Sequence, residues 1–194
     1  RWIISELQTL IQGVTTAYEE YEPTRAGRLI ETFVADNLSN WFVRLNRKRF
    51  WAGEMTQDKL AAYQTLYSCL ETVAILGAPI APFFMERLFL DLNDVSGMYK
   101  ESSVHLVLMP AVEEKYIDKA LEQRMEMAQL SSSMVLALRR KVNIKVRQPL
   151  AKLIIPVLDD NIQAQFEKVK DLVLGEVNVK EVEFIRNTEG LITK

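Results

Sequence analysis

Cysteine and histidine are nearly absent from this chain of 194 residues, which contains one of each, Cys69 and His105. A single cysteine excludes an internal disulfide and a zinc site built from several cysteines, and it suits the reducing cytoplasm, where we expect the protein. A single histidine excludes catalysis or metal binding by a histidine pair. No apolar run approaches the roughly 18 residues that a membrane-spanning helix needs, so we expect no membrane association.

The short motifs that mark many catalytic sites are also missing. The chain has no glycine-rich phosphate-binding loop, no cysteine and histidine ligand set, and no serine or cysteine in a recognisable nucleophile context. General-base catalysis needs an oriented partner, so we interpret the lone His105 as structural or surface-exposed. Cys69 lies in a predicted helix, where we interpret it as a small buried hydrophobe. We therefore expect no catalytic residue, no metal site and no cofactor in this chain.

Positive charge is concentrated in two short stretches. Residues 44–49, the first basic segment, hold four cations, and residues 139–152, the second basic segment, hold six, and neither contains an acid. The other 174 residues carry 14 cations against 26 acids, although the net charge of the whole chain is only −2. Such segments favour contact with an anionic partner such as nucleic acid. From the residues alone, ordinary solvated faces are an equally good interpretation.

Apolar residues recur at helical spacing through residue 141, which predicts a helix bundle over 1–141. Residues 93–102 are predicted as a loop and 103–109 as an extended segment. Thr56 is the predicted N-cap of a helix that ends near Gly77. The predicted helices cover residues 3–21, Pro23 into the first basic segment, 57–77, 83–92 and 114–141.

The pattern changes after residue 141. Residues 153–157 form a short run rich in β-branched residues, which predicts a strand. An amphipathic helix is predicted to follow and to end at Gly175, and residues 177–184 alternate as a strand does. Strand, helix and strand predict a small α/β subdomain of βαβ type over 142–194.

Two segments carry a family resemblance. Ser39–Trp51 and Asn143–Leu150 are similar to the region downstream of the catalytic core in the isoleucyl branch of the class Ia aminoacyl-tRNA synthetases. Three shorter stretches follow the order of landmarks in that family: Ala78–Glu86, Ser103–His105 and Glu176–Val182.

The resemblance implies a class Ia anticodon-binding helix bundle with tRNA(Ile) and the catalytic domain of the same chain as partners. The family's His-Ile-Gly-His and Lys-Met-Ser-Lys-Ser signatures are missing, and the chain opens with Arg1, so we expect a fragment of a longer chain. We expect no activity from the fragment alone. The resemblance places ATP, with Mg²⁺, in the absent catalytic domain.

The first basic segment and its flanks supply the parts that bind a single-stranded loop, which proteins hold with cations and stacked aromatic rings. Trp41 is predicted to lie in the core. The cations of the first basic segment could instead be present because a helix C-terminus favours positive charge. The candidate tRNA-binding residues here are Arg44, Arg47, Lys48, Arg49, Phe50 and Trp51.

The second basic segment contributes the remaining candidates, Arg140, Lys145 and Arg147. Lys145 and Arg147 alternate with apolar residues, so both cations are predicted to project from one side of an extended segment. They could contact the tRNA backbone. Equally, Arg147 could pair with a carboxylate and lock the α/β subdomain onto the bundle.

Two other functions remain open from the sequence. The bundle could be a helical scaffold that packs on protein partners, for which the apolar residues 80–92 are suited. The chain could also be the same domain from a valyl- or leucyl-tRNA synthetase, since those enzymes share the bundle.

Overall fold

The computed structural model describes residues 1–51, 53–157 and 160–186, which form helices followed by a small parallel sheet. The predicted fold class, a mainly helical chain that ends in a small α/β part, is confirmed. The chain divides into two compact units, Arg1–Asp118 and Lys119–Lys194. No helix within the described ranges is long and apolar enough to cross a membrane.

The first unit is helical. Short 3₁₀ turns cover Val104–Leu106 and Glu114–Tyr116 near its end. The longer elements are α1 (Trp2–Glu19), α2 (Pro23–Thr32), a π-helical segment (Phe33–Val43), α3 (Arg47–Trp51), α4 (Gln57–Gly77) and α5 (Pro82–Ser96).

Local chemistry sets several of these helix ends. Pro23 begins α2, where its fixed φ suits the helix and its missing N–H is not needed. The Thr56 hydroxyl accepts the backbone N–H of Lys59 at 3.2 Å and confirms the predicted N-cap of α4. Gly97 follows α5 with φ of 61°, a left-handed conformation that glycine adopts readily. Helix α5 therefore continues to Ser96, four residues into the predicted loop.

Helix α1 presents its apolar stripe to the core of the first unit, and its two buried polar residues fasten the last part of that unit. The Ser5 hydroxyl accepts the backbone N–H of Asp118 at 2.8 Å. The Gln8 side-chain oxygen accepts the backbone N–H of Glu113 at 2.7 Å. These bonds hold residues 113–118 beside α1, so the predicted helix over 114–141 begins only at Lys119.

Two of the family landmarks meet at the Glu86 carboxylate. This group accepts the Ser103 hydroxyl at 3.0 Å and the Val104 backbone N–H at 2.8 Å. Val104 is buried in a cluster with Phe89 and Ile75. The predicted extended segment over 103–109 is therefore wrong at its start, because these contacts turn residues 104–106 into a 3₁₀ turn.

The second unit begins with α6 (Lys119–Lys141) and continues through β1 (Leu150–Pro156), α7 (Asp160–Glu167), α8 (Lys170–Val177) and β2 (Val179–Ile185). The strands β1 and β2 pair in parallel, with Leu150 opposite Val179 and Ile155 opposite Phe184. The predicted single helix between the strands is two helices. The second of these helices ends at Val177, and Asn178 follows it in the left-handed conformation.

Helix α6 packs against α7 and α8, and its buried residues include Met125, Ala128 and Val135. The boundary between the compact units therefore lies at 118/119, whereas the sequence places it at 141/142. The physical reason is that the long helix provides the apolar surface on which the short helices of the second unit are buried.

Candidate nucleic-acid interface

The first basic segment lies where the π-helical segment turns into α3, and its apolar side is anchored to α4. The buried ring of Phe50 meets Phe42 edge-on, with centroids 6.2 Å apart, and Tyr63 of α4 edge-on at 5.2 Å. The Tyr63 hydroxyl also donates to the Phe50 carbonyl at 3.1 Å. Asn46 closes the turn by donating its side-chain amide to the Phe42 carbonyl at 2.8 Å. The helix end that carries the cations is thus fixed in place.

Arg49 acts in this anchor rather than on the open surface. Its Nε and Nη2 donate to the two carboxylate oxygens of Asp58 at 2.7 and 2.6 Å. Its Nη1 donates to Asn46 Oδ1 at 2.9 Å, and Nη2 also reaches the Asp58 carbonyl at 3.0 Å. Such a bidentate pair fixes the guanidinium. The interpretation of Arg49 as an RNA contact is therefore corrected: it ties α3 to the first turn of α4.

Three candidate cations of this segment are exposed. Arg44 lies along its own helix, where its Nε donates to the Asn40 carbonyl at 2.7 Å. Arg47 and Lys48 are exposed, and their side chains have no hydrogen-bond or ion-pair partner among residues 1–51, 53–157 and 160–186. Because no described residue pairs with these two side chains, they are available to a ligand.

The two aromatic candidates have opposite environments. Phe50 is 8% exposed and its ring is covered by Phe42 and Tyr63, so the interpretation of Phe50 as a stacking residue is wrong. Trp51 is 78% exposed. Trp41 is buried, which confirms its predicted place in the core. Trp51 is therefore the aromatic ring of this segment that a base can reach.

A cleft of about 320 Å³ lies between the end of α3 and the start of α4. Lys48, Arg49 and Lys59 line it together with the carboxylates of Glu54 and Asp58. Because Asp58 already pairs with Arg49, two lysines face the one remaining carboxylate, that of Glu54, and the cleft has a surplus of one positive charge.

The second basic segment turns where an extended chain was predicted. The Gln148 N–H donates to the Lys145 carbonyl at 3.0 Å, which closes a tight turn over 145–148. Arg140, Lys145 and Arg147 are exposed, and their side chains have no partner in the part of the chain that the structure describes. Arg147 therefore has no carboxylate partner within that part, which removes the basis for Arg147 as the lock.

The fastening residue of this turn is Arg139, which sequence reasoning missed. Arg139 is 2% exposed and donates to the carbonyls of Lys145 at 3.2 Å, Gln148 at 3.0 Å and Asn178 at 2.9 Å. A signal was present, because Arg139 follows Val135 by four residues on the buried stripe of α6. The apolar Leu138, which precedes Arg139 in the chain, is exposed instead.

The lone histidine and the lone cysteine lie in opposite environments. His105 is exposed at the 3₁₀ turn after α5. Cys69 is buried in α4, as predicted, and burial raises the pKa of its thiol to about 12, which keeps it protonated and unreactive. Among the described residues no group of three or more histidine, cysteine, aspartate or glutamate side chains could hold a metal ion.

Comparison with known proteins gives one consistent match. Residues 1–155 match the family model described as the anticodon-binding domain of tRNA ligase. The whole chain is 61% identical to part of the isoleucine–tRNA ligase of Bacteroides thetaiotaomicron and 57% identical to part of that of Cytophaga hutchinsonii. A more distant relative, the isoleucine–tRNA ligase of Dehalococcoides mccartyi, is 38% identical over the whole chain. The chain spans 17%, 18% and 20% of the lengths of these three proteins.

Proposed function

The chain belongs to the anticodon-binding domain family of tRNA ligases, and from this membership we propose that it holds the anticodon region of tRNA(Ile) as one part of an isoleucine–tRNA ligase. A ligase of this kind attaches isoleucine to tRNA(Ile) in the cytoplasm using ATP. The chain spans 17% of such a relative. In this proposal a catalytic domain elsewhere in the longer chain binds ATP with Mg²⁺ and the amino acid.

The observation that carries this proposal is the arrangement of side chains on the short helix α3. Arg47 and Lys48 point unpaired into solvent, as far as the described residues show, and Trp51 is exposed in the next helical turn. Phe50 and Arg49 fix the backbone between them. A rigid helix end with free cations and one exposed ring is the combination that a single-stranded loop requires.

In this proposal each group has a separate task. Arg47 and Lys48 bind phosphates of the anticodon loop, and Arg44 adds charge one turn earlier. Trp51 stacks on an unpaired base, which is possible for any base because every base has a π-face. In the second unit, Arg140, Lys145 and Arg147 bind phosphates of the RNA backbone. Phosphate contacts position the RNA, and contacts with base edges supply the choice of anticodon.

The test is a titration of the chain with an unmodified tRNA(Ile) transcript and with a transcript that carries a swapped anticodon. Each lost phosphate contact lowers the dependence of log K on log salt by about 0.7 to 0.9. We expect Arg47→Ala with Lys48→Ala to weaken binding and to lower this slope by roughly 1.4 to 1.8. The swapped anticodon should lower the affinity of the parent chain.

The matched control is Lys100→Ala with Lys168→Ala, which removes the same charge from exposed positions outside both basic segments. This variant should retain the affinity and most of the salt slope of the parent. Equal losses in the two variants would mean that only net charge matters, and an unchanged Arg47→Ala, Lys48→Ala variant would remove the end of α3 from the interface.

A second surface of the first unit favours the alternative role of protein packing. An apolar cavity of about 390 Å³ opens between α2, the π-helical segment, α4 and α5. Beside it, Phe83 is 90% exposed and Phe84, one of the lining residues, is 67% exposed. Apolar patches of this kind commonly mark contact with another protein surface. We propose that the catalytic domain of the same longer chain covers this face.

Phe83→Ser with Phe84→Ser tests this packing role. We expect the free energy of unfolding of the 194-residue chain to change by less than about 0.5 kcal/mol, because Phe83 is almost fully in solvent already. The same change in a full-length ligase should lower its melting temperature. An unchanged full-length protein would show that this face stays in solvent.

A further inference from the structure

The exposed cations of the second basic segment lie on a turn whose backbone is bound by the side chains of Arg139 and Asn178. We call these two residues the clamp. Arg139 donates Nη1 to the carbonyls of Lys145 and Gln148. Asn178 donates its side-chain amide to the Val146 carbonyl at 2.8 Å. Three of the four carbonyls of the turn over 145–148 are therefore bound by these two residues.

The clamp is itself fixed by the strands and by the end of α8. The Asn178 carbonyl accepts Arg139 Nη2 at 2.9 Å and the Leu150 N–H at 3.1 Å. Asn178 has φ of 51°, a left-handed conformation in which asparagine is among the few tolerated residues. The parallel pairing of β1 with β2 begins at this same level, at Leu150 and Val179.

The guanidinium of Arg139 is buried and has no carboxylate partner among the described residues, which requires an explanation. Arg139 is 2% exposed, and the acceptors that the structure gives it are backbone carbonyls. An apolar side chain would fill the same space but would remove the donor of the Gln148 carbonyl and leave the Lys145 and Asn178 carbonyls with one backbone donor each, which is unfavourable in a buried site. The two Nη atoms of the guanidinium fork bind the turn and the Asn178 carbonyl at the same time, which the single ammonium nitrogen of a lysine does not reproduce.

We infer that Arg139 and Asn178 are positioning residues for RNA binding: they preset the turn over 145–148 so that Lys145 and Arg147 both meet the phosphate backbone. This inference rests on the proposed function. Binding then orders less chain than it would on a free loop, because the backbone is already held in one conformation. Neither Arg139 nor Asn178 touches the RNA.

The test uses two variants that keep the net charge. Asn178→Gly retains access to positive φ and removes only the amide that holds Val146. Arg139→Lys keeps the buried cation and removes the fork. We measure affinity for the tRNA(Ile) transcript between about 50 and 200 mM salt, and hydrogen exchange of the Gln148 amide, which the closed turn protects.

Both variants are also made in a background that carries Lys145→Ala and Arg147→Ala, called the alanine background. In that background alone, the slope of log K against log salt should be lower by roughly 1.4 to 1.8. When the salt concentration rises fourfold, its affinity should therefore fall by a factor roughly ten times smaller than that of the parent. We expect each clamp variant to speed exchange at Gln148 and to weaken binding in the parent background, with no further loss in the alanine background. Thermal melts confirm that every variant is folded at the assay temperature.

Several outcomes overturn the inference. Equal losses in both backgrounds would mean that Arg139 and Asn178 act on stability or elsewhere on the RNA surface. Faster exchange at Gln148 with unchanged affinity would mean that the cations bind without a preset turn. Unchanged exchange would mean that the clamp does not hold the turn. A parent chain that binds no tRNA would refute the proposed function itself, which the exchange measurement distinguishes from a failed clamp.

Discussion

Neighbouring side chains of the same type have different environments in α3. Arg47 is exposed, whereas Arg49 forms a bidentate ion pair with Asp58. Trp51 is exposed, whereas Phe50 is buried between Phe42 and Tyr63. In each pair, a substitution at one residue should affect RNA binding and a substitution at the other, one or two residues away, should affect stability.

The arginine pair gives the first prediction. Arg49→Ala should lower the free energy of unfolding by up to about 1 kcal/mol, because a bidentate pair between the partly buried Arg49 and the exposed Asp58 is lost. Arg47→Ala should leave the free energy of unfolding unchanged and weaken tRNA binding. Urea denaturation and the tRNA titration measure the two effects, and a reversed assignment of effects would contradict the structural roles.

The aromatic pair gives the second prediction. Phe50→Ala should lower the free energy of unfolding by ~3–5 kcal/mol, since a buried ring is deleted. Trp51→Ala should change it by less than about 0.5 kcal/mol and weaken tRNA binding by ~1–3 kcal/mol, the usual range for a stacked base. If Trp51→Ala binds tRNA as the parent does, Trp51 stacks on no base.

Glu71 of α4 gives a prediction on pH. Burial raises the pKa of its carboxyl, and the hydrogen bond from the Tyr67 hydroxyl at 3.0 Å offsets only part of that rise. The folded state therefore holds the proton more tightly than the unfolded state, whose pKa is about 4.3. The free energy of unfolding must fall as the pH rises from this value through the raised pKa of the folded state.

Glu71→Gln removes that titration. The variant should be more stable than the parent at pH 7, and the difference should disappear as the pH falls below about 4.3. Urea denaturation across this range provides the measurement, with the exposed Glu19→Gln as the control. Equal stability of Glu71→Gln and parent at pH 7 would show that the folded state tolerates the charged carboxylate without penalty.

At the scale of the element, helix ends follow from the nearest few residues. Thr56 caps α4 through its side chain, and Thr65 lies inside the same helix with its hydroxyl donated to the Ala61 carbonyl at 2.7 Å. Thr56→Ala should lower the free energy of unfolding by ~1 kcal/mol because an N-terminal N–H loses its acceptor. Thr65→Ala should have no such cost, since alanine favours the helix interior. Thermal melts compare the two.

Of three elements that differ from the sequence pattern, distant groups fix two. The backbone over Phe33–Val43 is π-helical, so bonds from residue i to i+5 widen the turn and bring Phe33, Leu38 and Phe42 to the buried side. Apolar spacing alone predicts an ordinary helix there. Residues 104–106 turn because Glu86 binds them, and α6 begins late because Ser5 and Gln8 hold the preceding segment.

At the scale of the whole molecule, the charge is divided between an acidic majority and two basic segments in different compact units. If both segments bind RNA, their phosphate contacts should contribute separately. Arg47→Ala with Lys48→Ala and Lys145→Ala with Arg147→Ala should each lower the salt slope by roughly 1.4 to 1.8, and the combined variant should lose the sum. If the salt slope of the combined variant were no lower than that of one of the two double variants, only one segment would bind RNA.

The sequence by itself determined the periodicity of the helices, the N-cap at Thr56, the parallel βαβ order and the two basic segments. These features depend on residues close together in the chain. The resemblance to isoleucyl-tRNA synthetases also came from contiguous strings, and the family match confirms it.

Only the tertiary structure decided which cations are paired within the chain and which are exposed. Arg49 finds Asp58 nine residues away, and Arg139 finds Asn178 thirty-nine residues away. A string of arginines and lysines has one composition but several partners, and the choice among them depends on which carboxylate or carbonyl the fold brings within hydrogen-bonding distance. The sequence therefore predicted two candidate segments for an interface, but it misassigned Arg49 and Phe50 and overlooked Arg139, because burial and pairing are properties of the folded chain.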